Sequence, residues 1–361
     1  MIAGPHAPRP ANAPRYLNRT ARPPICVVMQ SASRVGILGT GSYLPEHEVT
    51  NEALVERVTD TTPEWISRKT LIGARRFAAP DEATSDLATK AAVEALARAG
   101  IAADRVDYLI VSTSTPDSPQ PPTSSLVQHA IGAHRAAAFD INVVCAGFVF
   151  GLALADGLVA ARPDAVVLVV AADVYSRILD FDDRRSAILF GDGAGAAVVG
   201  AVPHPYGLVD VELVSRGDAH ELIHIKAGGS RLPASAETVA DGDHFFRMNG
   251  RGVRDFVLAG VPPVLADLLK RAGVTADDVD HFVPHQANGV MVGELVEAAG
   301  LLGARTHLVL DRYGNTGSAS AAIALDAAAR AGDLHDGELV LLAGFGGGMS
   351  VGAALLRWYG R

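Results

Sequence analysis

A stretch of this chain occurs twice. Leu96-Ala-Arg-Ala-Gly-Ile-Ala-Ala-Asp-Arg-Val-Asp-Tyr-Leu-Ile-Val111 returns 173 residues later as Leu269-Lys-Arg-Ala-Gly-Val-Thr-Ala-Asp-Asp-Val-Asp-His-Phe-Val-Pro284, with 8 of 16 positions identical. The same offset carries Val167-Leu-Val-Val-Ala171 onto Val340-Leu-Leu-Ala-Gly344, so the register holds over two separate elements. The chain therefore reads as two halves of one design, 34–205 and 206–361. In each copy a helix with an apolar stripe (Leu87, Ala91, Ala95, Leu96; Val264, Leu265, Leu268, Leu269) closes at Gly100 or Gly273 and leads into a short apolar strand. Helices alternating with buried strands predict α/β halves with mostly parallel mixed sheets covered on both faces.

With 361 residues, 49% of them hydrophobic, the chain has material for such a double core, and disordered or collagen-like classes are excluded. Apolar runs such as Ala165–Ala172 are strand-length, far below the roughly 20 residues of a bilayer span, which reads as a soluble protein with no membrane partner. A formal charge of -9 provides no footprint for nucleic acid. Two cysteines cannot make a disulfide framework and fit a reducing cytoplasm. Residues 1–33 differ from the rest, with four arginines, six prolines and no acidic residue. Ile25–Met29 is too short for a signal h-region, so this segment reads as a disordered extension, with Met29 as a possible start and Cys26 as inert.

Sites in sheets of this kind sit where strands end and helices begin. Cys145, in Asn142-Val-Val-Cys-Ala-Gly-Phe148, stands at such a junction, where the positive end of a helix dipole favours a thiolate nucleophile and small Ala146 and Gly147 admit a substrate; a buried, inert cysteine is the alternative. His285 ends a strand in the second half, at the position matching Ser112, and a core histidine is its alternative. Asn315 opens an alanine-rich helix after a Gly/Ser-rich turn, where an N-cap is the plainer role. Gly344-Phe-Gly-Gly-Gly348 follows another buried strand. Two sharper strings are set aside. His220-Glu-Leu-Ile-His224 fits the zinc pattern HExxH but precedes Ile-Lys-Ala-Gly-Gly, a strand-and-turn context, so no metal is assigned. Gly191-Asp-Gly-Ala-Gly-Ala196 resembles a dinucleotide loop but runs into Ala-Val-Val-Gly, which is strand-like.

Taken in order, Glu64-Trp-Ile66, Cys145-Ala-Gly-Phe148, Phe190–Ala197, Val283-Pro-His-Gln-Ala-Asn288, Gly314-Asn-Thr316 and Phe345–Gly348 resemble the β-ketoacyl-acyl-carrier-protein synthase III family of thiolase-fold condensing enzymes, from Arg34 to the C-terminus. The resemblance implies a thiolase-like α-β-α-β-α layering and an acyltransferase. Cys145 would accept an acyl group from an acyl-CoA. His285 and Asn315 would assist decarboxylative condensation with a malonyl extender on an acyl carrier protein, in fatty-acid or polyketide biosynthesis. It further implies an oxyanion site at the N–H groups of Cys145 and Gly347, coenzyme A contacts at Trp65, Arg184, Asn288 and Arg254, no cofactor beyond the thioester substrates, and a homodimer in which Pro116–Pro122 reaches the partner's site.

Five positions depart from the family's pattern. Arg254 and Asp255 stand where an aromatic and a lysine are usual, Gly289 and Val290 replace an apolar residue and an arginine, and Leu71 replaces a glycine. The basic carrier-docking face is thereby eroded, which leaves a second reading open: transfer of the acyl group to a hydroxyl, an amine or another carrier without decarboxylation. A non-catalytic subunit is the third, opposed by the retained cysteine.

Overall fold

The computed structural model describes residues 33–360; the expectations for the N-terminal extension, Cys26 included, lie outside the described residues. The sequence repeat becomes two sheets of one topology. In the first, Ser33–Tyr43 (β1), Tyr108–Ser112 (β2), Ala137–Ile141 (β3), Val167–Asp173 (β4) and Gly193–Pro203 (β5) lie in the order β1-β5-β4-β2-β3. In the second, Gly207–Ser215 (β6), His281–Pro284 (β7), Arg305–Thr306 (β8), Leu339–Gly346 (β9) and Ser350–Arg357 (β10) lie in the order β6-β10-β9-β7-β8. Each strand of the second sheet is its counterpart in the first, five places on. In both sheets the middle strand of the parallel trio (β2, β7) pairs parallel on either side, while the hairpin-like strand (β5, β10) pairs antiparallel on either side.

Five helices complete the layers: Thr84–Ala99 (α1), Gly147–Ala161 (α2), Gly250–Ala272 (α3), Gly289–Ala298 (α4) and Ser320–Arg330 (α5). The stripe anticipated in α1 is buried against the first sheet together with Leu109, Val111, Leu168 and Val170, and α1 ends at Gly100 with φ +64°. The stripe in α3 is buried against the second sheet with Leu341, Ala343 and Leu355, and α3 ends at Gly273 with φ +73°. Between the sheets lie α2 and α5, whose Phe148, Leu152, Val159, Ile323 and Leu325 share one apolar cluster with Val169 of β4 and Val340 of β9. This is the α-β-α-β-α layering of the thiolase fold. Burying each of the larger side chains in that middle layer is worth roughly 1.5–3 kcal/mol.

One segment was passed over in the sequence. Val144–Ala161 is long and apolar enough, by length and composition, to cross a membrane. Half of it is buried, in the apolar cluster that α2 shares with strands of both sheets, while Leu154 is exposed, so its apolar character is that of a core helix on one side only. The two set-aside strings take the forms expected of them. His220 lies in the 3-10 turn Gly217–Leu222 and His224 in the short strand Ile223–His224, both exposed, so they share no helix face; Gly193–Ala196 begins β5.

Candidate active site

Cys145 sits in the single 3-10 turn Val144–Ala146 that joins β3 to α2. The preceding Val144 has φ +47°, a left-handed conformation that a β-branched residue adopts only under strain imposed by its surroundings. The surroundings are the ends of two strands. A Cβ on Gly346, the last residue of β9, would lie 2.8 Å from Cys145 Cβ, and one on Gly344 would lie 2.9 Å from Ala146 Cα. A Cβ on Gly147 would collide with Ser112 Oγ at the end of β2. The small residues after the cysteine thus serve the packing of this turn between two sheets, not the approach of a substrate; Ala146 is fully buried.

The thiol is 7% exposed and borders a cavity of about 30 Å³ that His285, Asn315, Phe190, Phe246, Met248, Phe345 and Met349 also line. Asn315, His285, Cys145 and Gly346 come from four segments spread over 202 residues (145 to 346), the last three at a strand end or a strand-to-helix junction and Asn315 in the turn before the 3-10 stretch Gly317–Ala319, bridged to Phe190. Met248, Val253, Ala287, Met291 and Asn315 line both this cavity and a larger cleft of about 460 Å³, which is walled by Trp65, Lys69, Arg185, Arg254, Asn288 and Glu294. The inner cavity is therefore the floor of the cleft.

Hydrogen bonds fix which atoms face the cavity. The backbone N–H of His285 donates to Ala343 O at 2.7 Å, extending β7 by one residue. Its Nδ1 lies 2.7 Å from Ser320 Oγ, and Ser320 Oγ accepts the Gln286 N–H at 3.1 Å. Nδ1 is the only acceptor within reach of the serine hydroxyl among the described residues, so its proton is directed to Nδ1, which makes Nε2 the protonated nitrogen and a donor. Asn315 Oδ1 accepts the Gly317 N–H at 3.0 Å, so the amide is oriented with its NH₂ as the remaining donor. Burial lowers the His285 imidazole to about 3, keeping it neutral. The Cys145 thiol is pushed up, first by burial and then by the charge of Asp173, while the Tyr175 hydroxyl pulls it down. The helix-terminus field expected from sequence is opposed by this burial, so the resting group is a thiol beside a neutral imidazole.

The outer residues divide. The Arg184 guanidinium stacks 5.2 Å from the Trp65 ring and donates to the Asp60 carbonyl, so the two groups are in contact with each other and it is Arg185 that borders the cleft. Asn288 caps α4 through the N–H groups of Val290 and Met291 and donates to Lys69 O at 3.1 Å. Arg254 forms a forked pair with Glu294 at 2.6 and 2.9 Å, with Asp255 3.9 Å away. Gly347 is buried against Val144 and Ile223 next to the cysteine turn.

Comparison with known proteins gives the chain's family. The description 3-oxoacyl-[acyl-carrier-protein (ACP)] synthase III matches residues 139–217, and its C-terminal counterpart matches residues 269–358. A β-ketoacyl-[acyl-carrier-protein] synthase III of Symbiobacterium thermophilum is 44% identical, over 90% of this chain and 98% of its own length. The chain belongs to the β-ketoacyl-acyl-carrier-protein synthase III family. It is a condensing acyltransferase of that family. An acetoacetyl CoA synthase of a Streptomyces species is 48% identical over 90% of this chain and 99% of the relative. Among solved structures, the synthase III of Thermus thermophilus superimposes with a TM-score of 0.83 at 41% identity, covering 90% of this chain and 100% of that one. A priming β-ketosynthase from a polyketide biosynthetic pathway does so with a TM-score of 0.84 at 34% identity, covering 95% and 100%.

Three residues of this synthase III site had no motif to announce them. Ser320 orients the histidine, Tyr175 lowers the proton affinity of the thiol, and the charge of Asp173 raises it. The available signal was position: Asp173 ends a fully buried strand and Tyr175 follows it, where sites in such sheets form.

Proposed function

We propose that the protein joins a short acyl primer, acetyl in the first instance, to a malonyl extender carried on coenzyme A, with loss of carbon dioxide. The observation that carries this reading is the one small cavity bordered at once by Cys145, His285 and Asn315. In the first half-reaction Cys145 Sγ attacks the acyl-CoA carbonyl, the C–S bond to coenzyme A breaks, and the N–H groups of Cys145 and Gly347 hold the oxyanion. In the second, His285 Nε2–H and Asn315 Nδ2–H donate to the malonyl thioester oxygen, the carboxylate leaves as carbon dioxide, and the enolate carbon displaces Cys145 from its acyl group. Two neutral donors suit an oxygen that becomes negative only as the bond to the carboxylate breaks. No cofactor is needed, since both substrates arrive as thioesters.

A free volume of about 30 Å³, walled by Phe190, Phe246 and Phe345, supports a two-carbon primer over a long one. The acceptor reading rests on charge. An acidic carrier protein is steered by basic residues at the mouth of a site. Here Arg254 is spent on Glu294, with Asp255 adjacent, while Lys69 and Arg185 line the cleft itself, where a phosphate-bearing arm would pass. The relative named acetoacetyl CoA synthase supports the same acceptor. The carrier-bound extender is the second reading, favoured by the names of the other relatives. We place the enzyme in the cytoplasm, as a homodimer.

The test is turnover of acetyl-CoA with malonyl-CoA against malonyl-carrier at two ionic strengths, following carbon dioxide and the β-ketoacyl product. Acetoacetyl-CoA formed at a rate that salt barely changes supports the proposal. A strong carrier preference that falls with salt establishes the second reading, and acyl transfer to a hydroxyl or amine without carbon dioxide release overturns both.

A further inference from the structure

One arginine stands where the fold asks for an apolar side chain. The strands His47–Thr50 and Ala74–Phe77 pair antiparallel, and in the second of them Arg75 and Phe77 are buried while Arg76 pairs with Glu48 at the surface. Arg75 is fully buried, and it is the only arginine or lysine that is so among the described residues. Its partners are uncharged oxygens. Nη1 donates to Asn51 Oδ1 at 2.8 Å and to Val49 O at 3.3 Å, Nη2 donates to Ile188 O at 2.9 Å, and Nε has no partner among the described residues. Burial lowers the guanidinium to about 10, which leaves it charged at neutral pH. A buried cation without a carboxylate is costly, and a packed apolar side chain in its place is often neutral or stabilising, so the fold alone does not call for this residue.

What it holds is the backbone around Asn315. Ile188 begins a stretch in which Leu189 O accepts the Asn315 N–H at 2.8 Å and the Gly191 N–H donates to Asn315 O at 3.0 Å, so Phe190 and Asn315 form a single parallel bridge. The stretch is tied to the Arg75 strand at both ends, by Arg75 Nη2 at Ile188 O and by the Asp192 N–H, which donates to Arg76 O at 2.8 Å. The stem of Arg75 fills the space beneath. A Cβ on Gly191 would lie 3.0 Å, and one on Gly314 3.3 Å, from Arg75 Cβ. With Asn315 Oδ1 taken by the Gly317 N–H, the direction of the Nδ2–H donor follows the position of this backbone.

We propose that Arg75 is a positioning residue for the condensation step: it fixes the bridge between Phe190 and Asn315, and through it the point at which Asn315 Nδ2–H meets the malonyl thioester oxygen. The inference rests on Asn315 as a donor to that oxygen. Without the guanidinium the Ile188 end of the stretch loses its anchor, Leu189 O moves with it, and the Asn315 amide follows. A displacement of roughly 1 Å at a reacting group costs about 10²-fold in rate. Acylation of Cys145 draws on the N–H groups of Cys145 and Gly347, which belong to other segments, so that step is spared.

The test is Arg75→Met, which keeps the stem and removes the donors, made alone and together with Asn315→Ala. Two steps are timed on each protein: acetylation of Cys145 by acetyl-CoA, read by intact mass, and carbon dioxide release from malonyl-CoA by enzyme already acetylated. Arg75→Met should slow carbon dioxide release by roughly 10–100-fold at saturating malonyl-CoA and leave acetylation nearly unchanged. In the Asn315→Ala background the same substitution should cost nothing further, because the donor it positions is gone, while its effect on the melting temperature should be the same in both backgrounds. An arginine that only supports the fold gives equal losses in the two steps, or an undiminished loss of carbon dioxide release without Asn315. Either result overturns the proposal, as does an Arg75→Met enzyme with native rates. If Arg75→Met does not fold, Arg75→Lys goes through the same cycle and is read in the same way, since it keeps the charge but has one nitrogen for both Asn51 and Ile188. Carbon dioxide release unchanged in Asn315→Ala alone rejects the donor role of Asn315 and the positioning proposed for it. A slow Asn315→Ala enzyme in which the Arg75→Met loss is additive rejects the positioning alone.

Discussion

Ser320 Oγ stands 2.7 Å from His285 Nδ1 across the junction of α5 and β7, and it reaches no other acceptor among its hydrogen bonds. The tautomer of the histidine is therefore set by a serine 35 residues away. Ser320→Ala removes that constraint, letting the proton sit on Nδ1 and turning Nε2 from donor to acceptor. We expect condensation to fall by about 10–100-fold, as for a lost supporting partner, with Cys145 acylation nearly unchanged. Ser320→Thr, which keeps the hydroxyl, should recover part of the loss. Stopped-flow carbon dioxide release read beside intact mass separates the two steps, and equal losses in both would show that Ser320 only supports the fold.

His285 and Asn315 present their donors to the same cavity, so replacing either by Ala should slow malonyl decarboxylation by roughly 10²-fold or more. Acylation of Cys145 should be slowed less, and Cys145→Ala should abolish the acyl mass increase altogether. A variant at 285 or 315 that loses acylation and decarboxylation in the same proportion contradicts the division of labour.

The extent to which all this was legible in sequence follows from how local each feature is. The repeat at 173 residues exposed the paired sheets because strand and helix periodicity is written in neighbouring residues; the strand ends then pointed to Cys145 and His285, and a Gly/Ser-rich turn opening a helix pointed to Asn315. The field at Cys145 was read from its own helix alone, and it missed the burial and the Asp173 charge that reverse its effect on the thiol. Gly147 looked like room for substrate because its neighbour Ser112, on another strand, is invisible in the chain around it. Ser320, Tyr175 and the Arg254–Glu294 pair act through partners 30–40 residues away, and a hydroxyl or a guanidinium has no sequence signature until its partner is placed.

Two departures noted separately in the sequence are one contact. Leu71 holds a left-handed conformation, φ +60°, at the end of the helix Pro63–Thr70, and a Cβ on Gly289 would lie 2.8 Å from its Cβ and 3.0 Å from Thr70 O. Gly289→Ala should cost about 1–3 kcal/mol by overpacking. Leu71→Gly relieves the backbone strain and clears the leucine, so the double variant should recover at least about 1 kcal/mol of that cost. Urea midpoints for the four proteins of the cycle measure the coupling, and additive effects would show that the two sites are independent.

The buried histidines make stability, and not activity, respond to mild acid. Burial holds His285 at about 3, and His307, bonded to His281 at 2.9 Å, at about 4, lowered first by burial and then by the charges of His281 and Arg305. Both folded values lie below the unfolded value near 6.5, so between them the unfolded chain binds more protons than the folded one. Stability from these two groups is complete above about pH 6.5 and is lost as pH falls towards 4 and then 3, with a slope of up to about 1.4 kcal/mol per pH unit for each. Activity has a different limit, because His285 works as a neutral donor and does not titrate until the protein is close to unfolding. The condensation rate measured on the pre-acylated enzyme should therefore show no inflection near pH 6.5, staying level from pH 7.5 to about 5.5 while the melting temperature declines over the same interval. His307→Gln should flatten that decline without altering the rate profile. A rate that halves near pH 6.5 in a protein still fully folded would mean that His285 is charged by then, and that the enolate oxygen meets an imidazolium instead of the neutral pair.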